Sequence, residues 1–388
     1  MRLEEMISPK VRTMPPSGIR KYFDMINEMD DVISLGVGEP DFVTPWNVRE
    51  AGIYSLEKGH THYSSNAGFI ELREEIAGFL NRKYNLKYNP EDEIIVTVGG
   101  SEGIDIALRA LVDPGDEVVI PEPSFVAYKG CTVFAGATPV VLNLRAEDGF
   151  KLTPELLESV ITPKTKVVIV PFPNNPTGSI MTKEELKGIV DVLKDKDIII
   201  LSDEIYSELT YDTKHVSIAS FPEVKDKTIL INGFSKAYAM TGWRMGYVCA
   251  NKVLINAMKK IHQYAIMCAP TTAQYAAIEA LRNSDEDIDE MNKEYNRRRR
   301  VMVDGFKKIG LDCFEPKGAF YLFPSIKSTG LTSDEFCEQL LKKEKVLTVP
   351  GNAFGECGEG FIRACYACSM EDIMEALKRI GRFVKSIS

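Results

Sequence analysis

Four short runs in this chain place reactive or phosphate-binding side chains at turns. The run Ser235-Lys236-Ala237-Tyr238-Ala239-Met240-Thr241-Gly242-Trp243-Arg244 sets a lysine, a hydroxyl and an arginine around a glycine-containing turn. A lysine amine forms a Schiff base with a carbonyl compound when its charged form is disfavoured locally. The planar fork of Arg244 can grip two phosphate oxygens at once, and the Ser235 hydroxyl can join it. Together they suit a phosphorylated aldehyde held covalently at Lys236. Plain surface charge is the competing reading, because most Lys and Arg residues are exposed.

The other three runs gain meaning beside the first. Asp203-Glu204-Ile205-Tyr206 follows the apolar stretch Ile198-Ile199-Ile200-Leu201. A carboxylate at the end of a buried strand is costly unless paired. A protonated pyridine nitrogen would be such a partner and would make the ring a better electron sink. Tyr206 could then donate its hydroxyl to a phenolate oxygen; a helix N-cap at Asp203 with Tyr206 as packing is the alternative. In Asn174-Asn175-Pro176-Thr177-Gly178 the Asn175 amide can donate to a cofactor oxygen, although Asn-Pro and Thr-Gly also favour ordinary turns. Gly99-Gly100-Ser101-Glu102-Gly103 separates a β-branched run from helically spaced Ile104, Ala107, Leu108 and Leu111. Its backbone N–H groups can approach a phosphate at a helix N-terminus. The G-x-G-x-x-G spacing is missing, which argues against a nicotinamide dehydrogenase.

These runs need elements to position them. Strands are expected at 92–98, 117–120, 166–170, 197–201, 228–231 and 246–250, with helices between them at 183–193 and along one long segment from about 252 to 282. Short apolar strands separated by helices predict an α/β fold with a mostly parallel sheet buried on both faces. In such sheets ligands lie beyond the carboxyl ends of the strands, where all four runs fall. Composition changes at Asp285-Glu-Asp-Ile-Asp-Glu290, and Arg297–Arg300 follow; the two read as a solvated helix start and a solvated helix face. Helices near 333–343 and 370–384, with strands near 321 and 346–349, predict a smaller α+β domain. The expected division is 46–285 for a large cofactor-binding domain and 286–388 for the small one, with residues 1–45 joining the small domain.

With 388 residues the chain exceeds the ~250–300 at which a single core stops growing. A net charge of −9 speaks against nucleic acid or an anionic membrane as partner. No stretch approaches the roughly 18 apolar residues of a membrane span, and residues 1–16 lack the apolar core of a signal peptide. Eight scattered cysteines read as reduced thiols in the cytoplasm. Cys365 and Cys368 form a lone CxxC with no second pair at zinc spacing, so no metal is expected.

The motifs, taken in order, resemble those of the class I/II aminotransferases, fold-type-I enzymes that depend on pyridoxal phosphate. The resemblance covers almost the whole chain: Leu35-Gly-Val-Gly-Glu-Pro-Asp-Phe42, Tyr63 with Gly68-x-x-Glu-Leu-Arg73, Asn175-Pro-Thr-Gly178, Asp203-Glu-Ile-Tyr206, Ser235-Lys236 with Gly242-Trp-Arg244, and Arg363. It implies a large domain built on a mostly parallel seven-stranded sheet and the following roles. Lys236 would be the Schiff-base lysine and would shuttle the proton. Asp203 would pair with the pyridine nitrogen, while Tyr206 and Asn175 bind the phenolate oxygen. Ser235, Arg244 and the backbone at Gly100, Ser101 and Glu102 would hold the phosphate, and Phe125 would stack on the ring. Arg363 would clamp the substrate carboxylate, helped by Asn175 and the Gly38 backbone. Tyr63 would reach the phosphate of a neighbouring subunit, making a homodimer.

Two positions depart from the family pattern. Many relatives carry a hydroxyl where this chain has Gly233, so one phosphate contact is lost. Dicarboxylate-specific relatives often carry a distal arginine near the stretch that reads Ile266-Met267-Cys268-Ala269-Pro270, where none occurs. The runs Glu204–Tyr211, Gly318–Ser325 and Val349–Gly351 resemble a bacterial branch of aromatic and N-acetyl-diaminopimelate aminotransferases, in which Ile19 and Arg20 would lie in a pocket-closing segment. Carbon–sulfur β-lyases share these motifs and remain an alternative. A regulator with a DNA-binding head is not expected, because the family pattern starts within about forty residues of Met1.

Overall fold

The computed structural model describes residues 3–15 and 29–387. Seven strands form its main sheet: β2 (Ile94–Thr97), β3 (Glu117–Glu122), β4 (Thr138–Asn143), β5 (Thr165–Val170), β6 (Ile199–Asp203), β7 (Thr228–Gly233) and β8 (Gly246–Cys249). Their spatial order is β2-β8-β7-β6-β5-β3-β4, and all run parallel except β8, which is antiparallel to both neighbours. Runs such as Ile94-Ile95-Val96-Thr97 and Thr228-Ile229-Leu230-Ile231 are buried along their whole length, as strands covered on both faces must be. On one face Ile104, Ala107 and Leu108 of the helix Gly99–Leu111 pack with Ile229, Ile231 and Val248; on the other, Leu186, Ile189 and Val190 of Lys183–Leu193 pack with Val168 and Ile200.

A second, smaller sheet runs antiparallel in the order β11 (Val349–Pro350), β12 (Ile362–Cys365), β9 (Tyr321–Leu322). Beside it β1 (Ile33–Ser34) pairs in parallel with β10 (Val346–Leu347), and Leu35 accepts from the Cys365 N–H at 2.8 Å. This pairing carries the glycines after Leu35 towards Arg363 on β12.

Three expectations need correction. The segment from 252 to 282 is not one helix but two, Lys252–Ala265 and Thr271–Asn283. Met267 takes a left-handed φ of 74°, and Pro270, lacking an N–H, starts the second helix. The run Arg297–Arg300 is not a wholly solvated face. Arg299 is fully buried, held by Asp212 at 2.8 Å, Glu315 at 2.7 Å and the Pro316 carbonyl at 2.9 Å, and Arg298 is buried against Asp41 and Glu294. Strand β4 was not foreseen; Pro139 disguises it, and the sheet order puts it at the edge, where proline is tolerated. Among the described residues no helix is long and apolar enough to cross a membrane.

Candidate active site

A cavity of about 320 Å³ opens beyond the carboxyl ends of the parallel strands and reaches to β9 and β12. Strand β2 ends in the Gly99 turn, β6 ends at Asp203 and β7 leads into Ser235-Lys236, so the ends of one sheet bring these three runs together. The fourth, with Asn175, follows β5. Arg363 enters from β12.

Lys236 is the hub. Its ammonium donates to the Gly38 carbonyl at 2.6 Å and lies 5.8 and 5.7 Å from the ring centres of Tyr206 and Phe320. Burial pushes its pKa down to about 8; the Cys365 thiol opposes this, and the positive charges of Arg363 and Arg244 add to it. A carbonyl-reactive lysine needs this shift, since it populates the neutral amine near neutral pH.

Asp203 is only 7 % exposed. Burial raises its carboxyl to about 6, even though Tyr128 donates to Oδ2 at 2.7 Å and the Ile205 N–H to Oδ1 at 3.2 Å. It has no cationic partner among the described residues, yet it lines the cavity. A buried carboxylate so placed fits a pyridinium N–H. The Asp203 N-cap reading is set aside: no helix starts there, and its side chain serves Ile205 and Tyr128.

The phosphate end also fits. Gly100 and Ser101 line the cavity in the first turn of Gly99–Leu111, where backbone N–H groups have no intrahelical acceptor. Gly99 has φ +72°, and a Cβ there would come within 2.5 Å of Arg244 Nη2, so the missing side chain makes room for the guanidinium. Arg244, itself left-handed at φ 53°, is steadied by Nη1 donating to the Thr241 carbonyl at 3.0 Å. Ser235 lines the same end. Glu102 offers only its backbone, because its carboxylate accepts from Val98 N–H and pairs with His262 Nδ1, both at 2.5 Å. At Gly233 a Cβ would meet Gly246 Cα and the Met245 carbonyl at 2.9 Å, which explains why no hydroxyl residue stands there.

At the opposite end Arg363 donates from Nη1 to Asn175 Oδ1 at 2.9 Å and from Nη2 to the Gly36 carbonyl at 2.6 Å. Its Nε is buried without a partner. Asn175 thereby keeps its amide N–H₂ free to donate. Phe125 forms a wall, edge-on to Tyr128 at 5.7 Å. Tyr63 lies outside the cavity, 80 % exposed. Ile19 and Arg20 lie outside the described residues. The thiols of Cys365 and Cys368 are free, pushed up by burial to about 11 and about 12.

Three polar lining residues escaped sequence reasoning: Tyr128, Thr241 and Tyr321. Thr241 sits inside the Ser235–Arg244 run and Tyr128 three residues after Phe125, where position alone gave the only signal. Tyr321 lies far along the chain on β9, and only the fold shows that it faces the site.

Comparison with known proteins identifies the family. The model of the family "Aminotransferase class I and II" matches residues 30–380. The chain is 54% identical over 378 residues to YugH of Bacillus subtilis (strain 168), a protein named as an aminotransferase, covering 97% of this chain and 98% of that one. It is 44% identical over 382 residues to an aspartate aminotransferase of Pyrococcus abyssi, covering 98% of each. Among solved structures, an aromatic aminotransferase from Pyrococcus horikoshii superposes with a TM-score of 0.91 at 42% identity, covering 95% of this chain and 99% of that one. The chain belongs to the class I and II aminotransferases and is an enzyme that uses pyridoxal phosphate.

Proposed function

We propose that this aminotransferase moves the amino group of an L-amino acid to a 2-oxo acid, with 2-oxoglutarate as the acceptor, by a ping-pong route in which Lys236 carries the cofactor covalently. One observation carries the reading: a buried lysine with a depressed pKa shares a cavity with a buried carboxylate that lacks a cation and with a carboxylate-binding arginine. Bound pyridoxal phosphate supplies an aldehyde that condenses with amines and a ring that accepts the electron pair of the broken Cα–H bond. The protein does the rest.

Asp203 keeps the ring nitrogen protonated, and Tyr206 and Asn175 donate to the ring oxygen. Ser235, Arg244 and the N–H groups of Gly100, Ser101 and Glu102 hold the phosphate, with Phe125 against the ring face. Arg363, Asn175 and the Gly38 backbone hold the substrate carboxylate, and Ile19 would lie near the substrate. That grip would orient the substrate so that the Cα–H bond is presented to Lys236, an effect of orientation. Lys236, once free as a neutral amine, would lie beside both the substrate Cα and the cofactor's aldehyde carbon, so a single base could remove the proton from the one and return it to the other.

We further propose a homodimer in which Tyr63 reaches the partner's phosphate, a cytoplasmic location consistent with eight free thiols, and the division into domains at 46–285 and 286–388, with 1–45 attached to the latter. Keto-acid formation across a panel of amino donors with 2-oxoglutarate tests the activity. Turnover with at least one donor, abolished in Lys236→Ala, is expected. Pyruvate and ammonia released from cystathionine without added keto acid would instead mark a carbon–sulfur β-lyase.

A further inference from the structure

Tyr321 touches both halves of the site. Its hydroxyl lies 2.8 Å from the Tyr206 hydroxyl, and its ring carries the Arg363 guanidinium at 4.5 Å from the centroid. The hydroxyl also fills the space beside Gly38, where any Cβ would collide with it. Tyr321 is 1 % exposed, and β9 is fixed to β12, with Tyr321 opposite Cys365 two residues beyond Arg363. Three contacts thus join ring-binding Tyr206, carboxylate-binding Arg363 and the Gly38 turn through one side chain.

We propose that Tyr321 is a positioning residue that sharpens Tyr206 as a donor and seats Arg363, so coupling the cofactor end of the site to the substrate carboxylate. This rests on the reading of Tyr206 given above. The two hydroxyls can share only one proton between them. If Tyr206 commits its proton to the ring oxygen, its own oxygen must accept, and Tyr321 is the donor within reach. A donated hydrogen bond polarises the acceptor hydroxyl and strengthens its onward donation, by about 10–30% per bond in such chains. Burial pushes both phenols above their ordinary range, so both keep their protons at working pH. The Tyr321 ring acts separately: a cation over an aromatic face is held best where water is excluded, and here it steers a guanidinium whose Nε is left free.

The test uses holoenzyme in four forms: wild type, Tyr321→Phe, Tyr206→Phe and the double variant. The readout is the pH at which the visible absorbance of the bound cofactor changes, together with the Kd of an unreactive dicarboxylate. Weaker donation leaves more electron density on the ring oxygen and should raise that pH. Tyr321→Phe is expected to raise it by about half a unit while leaving the Kd within about twofold, because the ring is kept. Tyr206→Phe should raise it further, and the double variant should match Tyr206→Phe, since Tyr321 acts through Tyr206. Tyr321→Leu, which removes the ring as well, should weaken the dicarboxylate about fivefold or more. An unchanged absorbance titration in Tyr321→Phe alongside a clear shift in Tyr206→Phe would overturn the proposal. No shift in either variant would instead overturn the role given to Tyr206. In the Tyr206→Phe background Tyr321→Leu should leave the absorbance titration unchanged and still weaken the dicarboxylate; an unchanged dicarboxylate Kd there rejects the seating of Arg363.

Discussion

At the residue scale the site rests on two ionisable groups whose burial works against their charge. Lys236 falls to about 8 and Asp203 rises to about 6, both by desolvation first. For Lys236 the neutral amine accumulates as pH rises through about 8, more than two units below a solvated lysine. In cofactor-free protein, the rate of modification of Lys236 by a small acylating reagent should therefore rise with a midpoint near 8, read by peptide mass spectrometry; a midpoint above 10 would contradict the burial argument. Asp203 carries the opposite sign. Its folded pKa lies above the unfolded value of 3.8, so the native state binds its proton more tightly and stability is lost as pH rises between about 4 and about 6. Asp203→Asn removes that cost. The cofactor-free variant should be more stable than wild type by ~2 kcal/mol in urea unfolding at pH 8, with the difference shrinking towards pH 4.5, while its transaminase activity collapses. A variant less stable than wild type at pH 8 would show that the carboxylate is already compensated in the empty site.

At the element scale the strand ends do the assembling. The chemistry-bearing runs were legible because strands such as Ile198–Leu201 announce themselves by unbroken apolar character and each run follows one of them. What sequence could not show was tertiary: that Tyr128 turns back onto Asp203, that Tyr321 reaches Tyr206, and that Arg299 is drawn fully inside by Asp212 and Glu315. The break at Met267–Pro270 hid within a sequence that is otherwise helical on both sides. The Gly99 turn carries its own prediction. Because φ is +72° and the space a Cβ needs holds Arg244, Gly99→Ala should raise the dissociation constant for pyridoxal phosphate by about tenfold or more. Titration of the apoenzyme followed by absorbance checks this; unchanged affinity would remove Arg244 from the phosphate site.

At the scale of the whole molecule, Tyr63 is where the proposed homodimer can be tested. It is strongly exposed, and so are Trp46, Ile53, Tyr54 and Leu56 of the nearby helix and Tyr264, Ile266 and Met267 at the helix break. Asn66 ties its own loop to that break by donating to the Met267 carbonyl at 2.8 Å. Exposed apolar groups on adjoining elements are a common mark of an interface. If each site borrows Tyr63 from its partner, mixing Tyr63→Ala and Lys236→Ala subunits should restore about a quarter of wild-type activity, because half the dimers are hybrids with one complete site of two. Activity no greater than that of the Tyr63→Ala parent would mean that Tyr63 serves its own subunit or none.

The central claim is that Lys236 alone bonds the cofactor, and it can be read directly. Holoenzyme reduced with borohydride, digested and analysed by mass spectrometry should carry the pyridoxyl phosphate mass on the peptide containing Lys236 and on no other lysine. Label on a different lysine, or a labelled and transaminating Lys236→Ala variant, would contradict it.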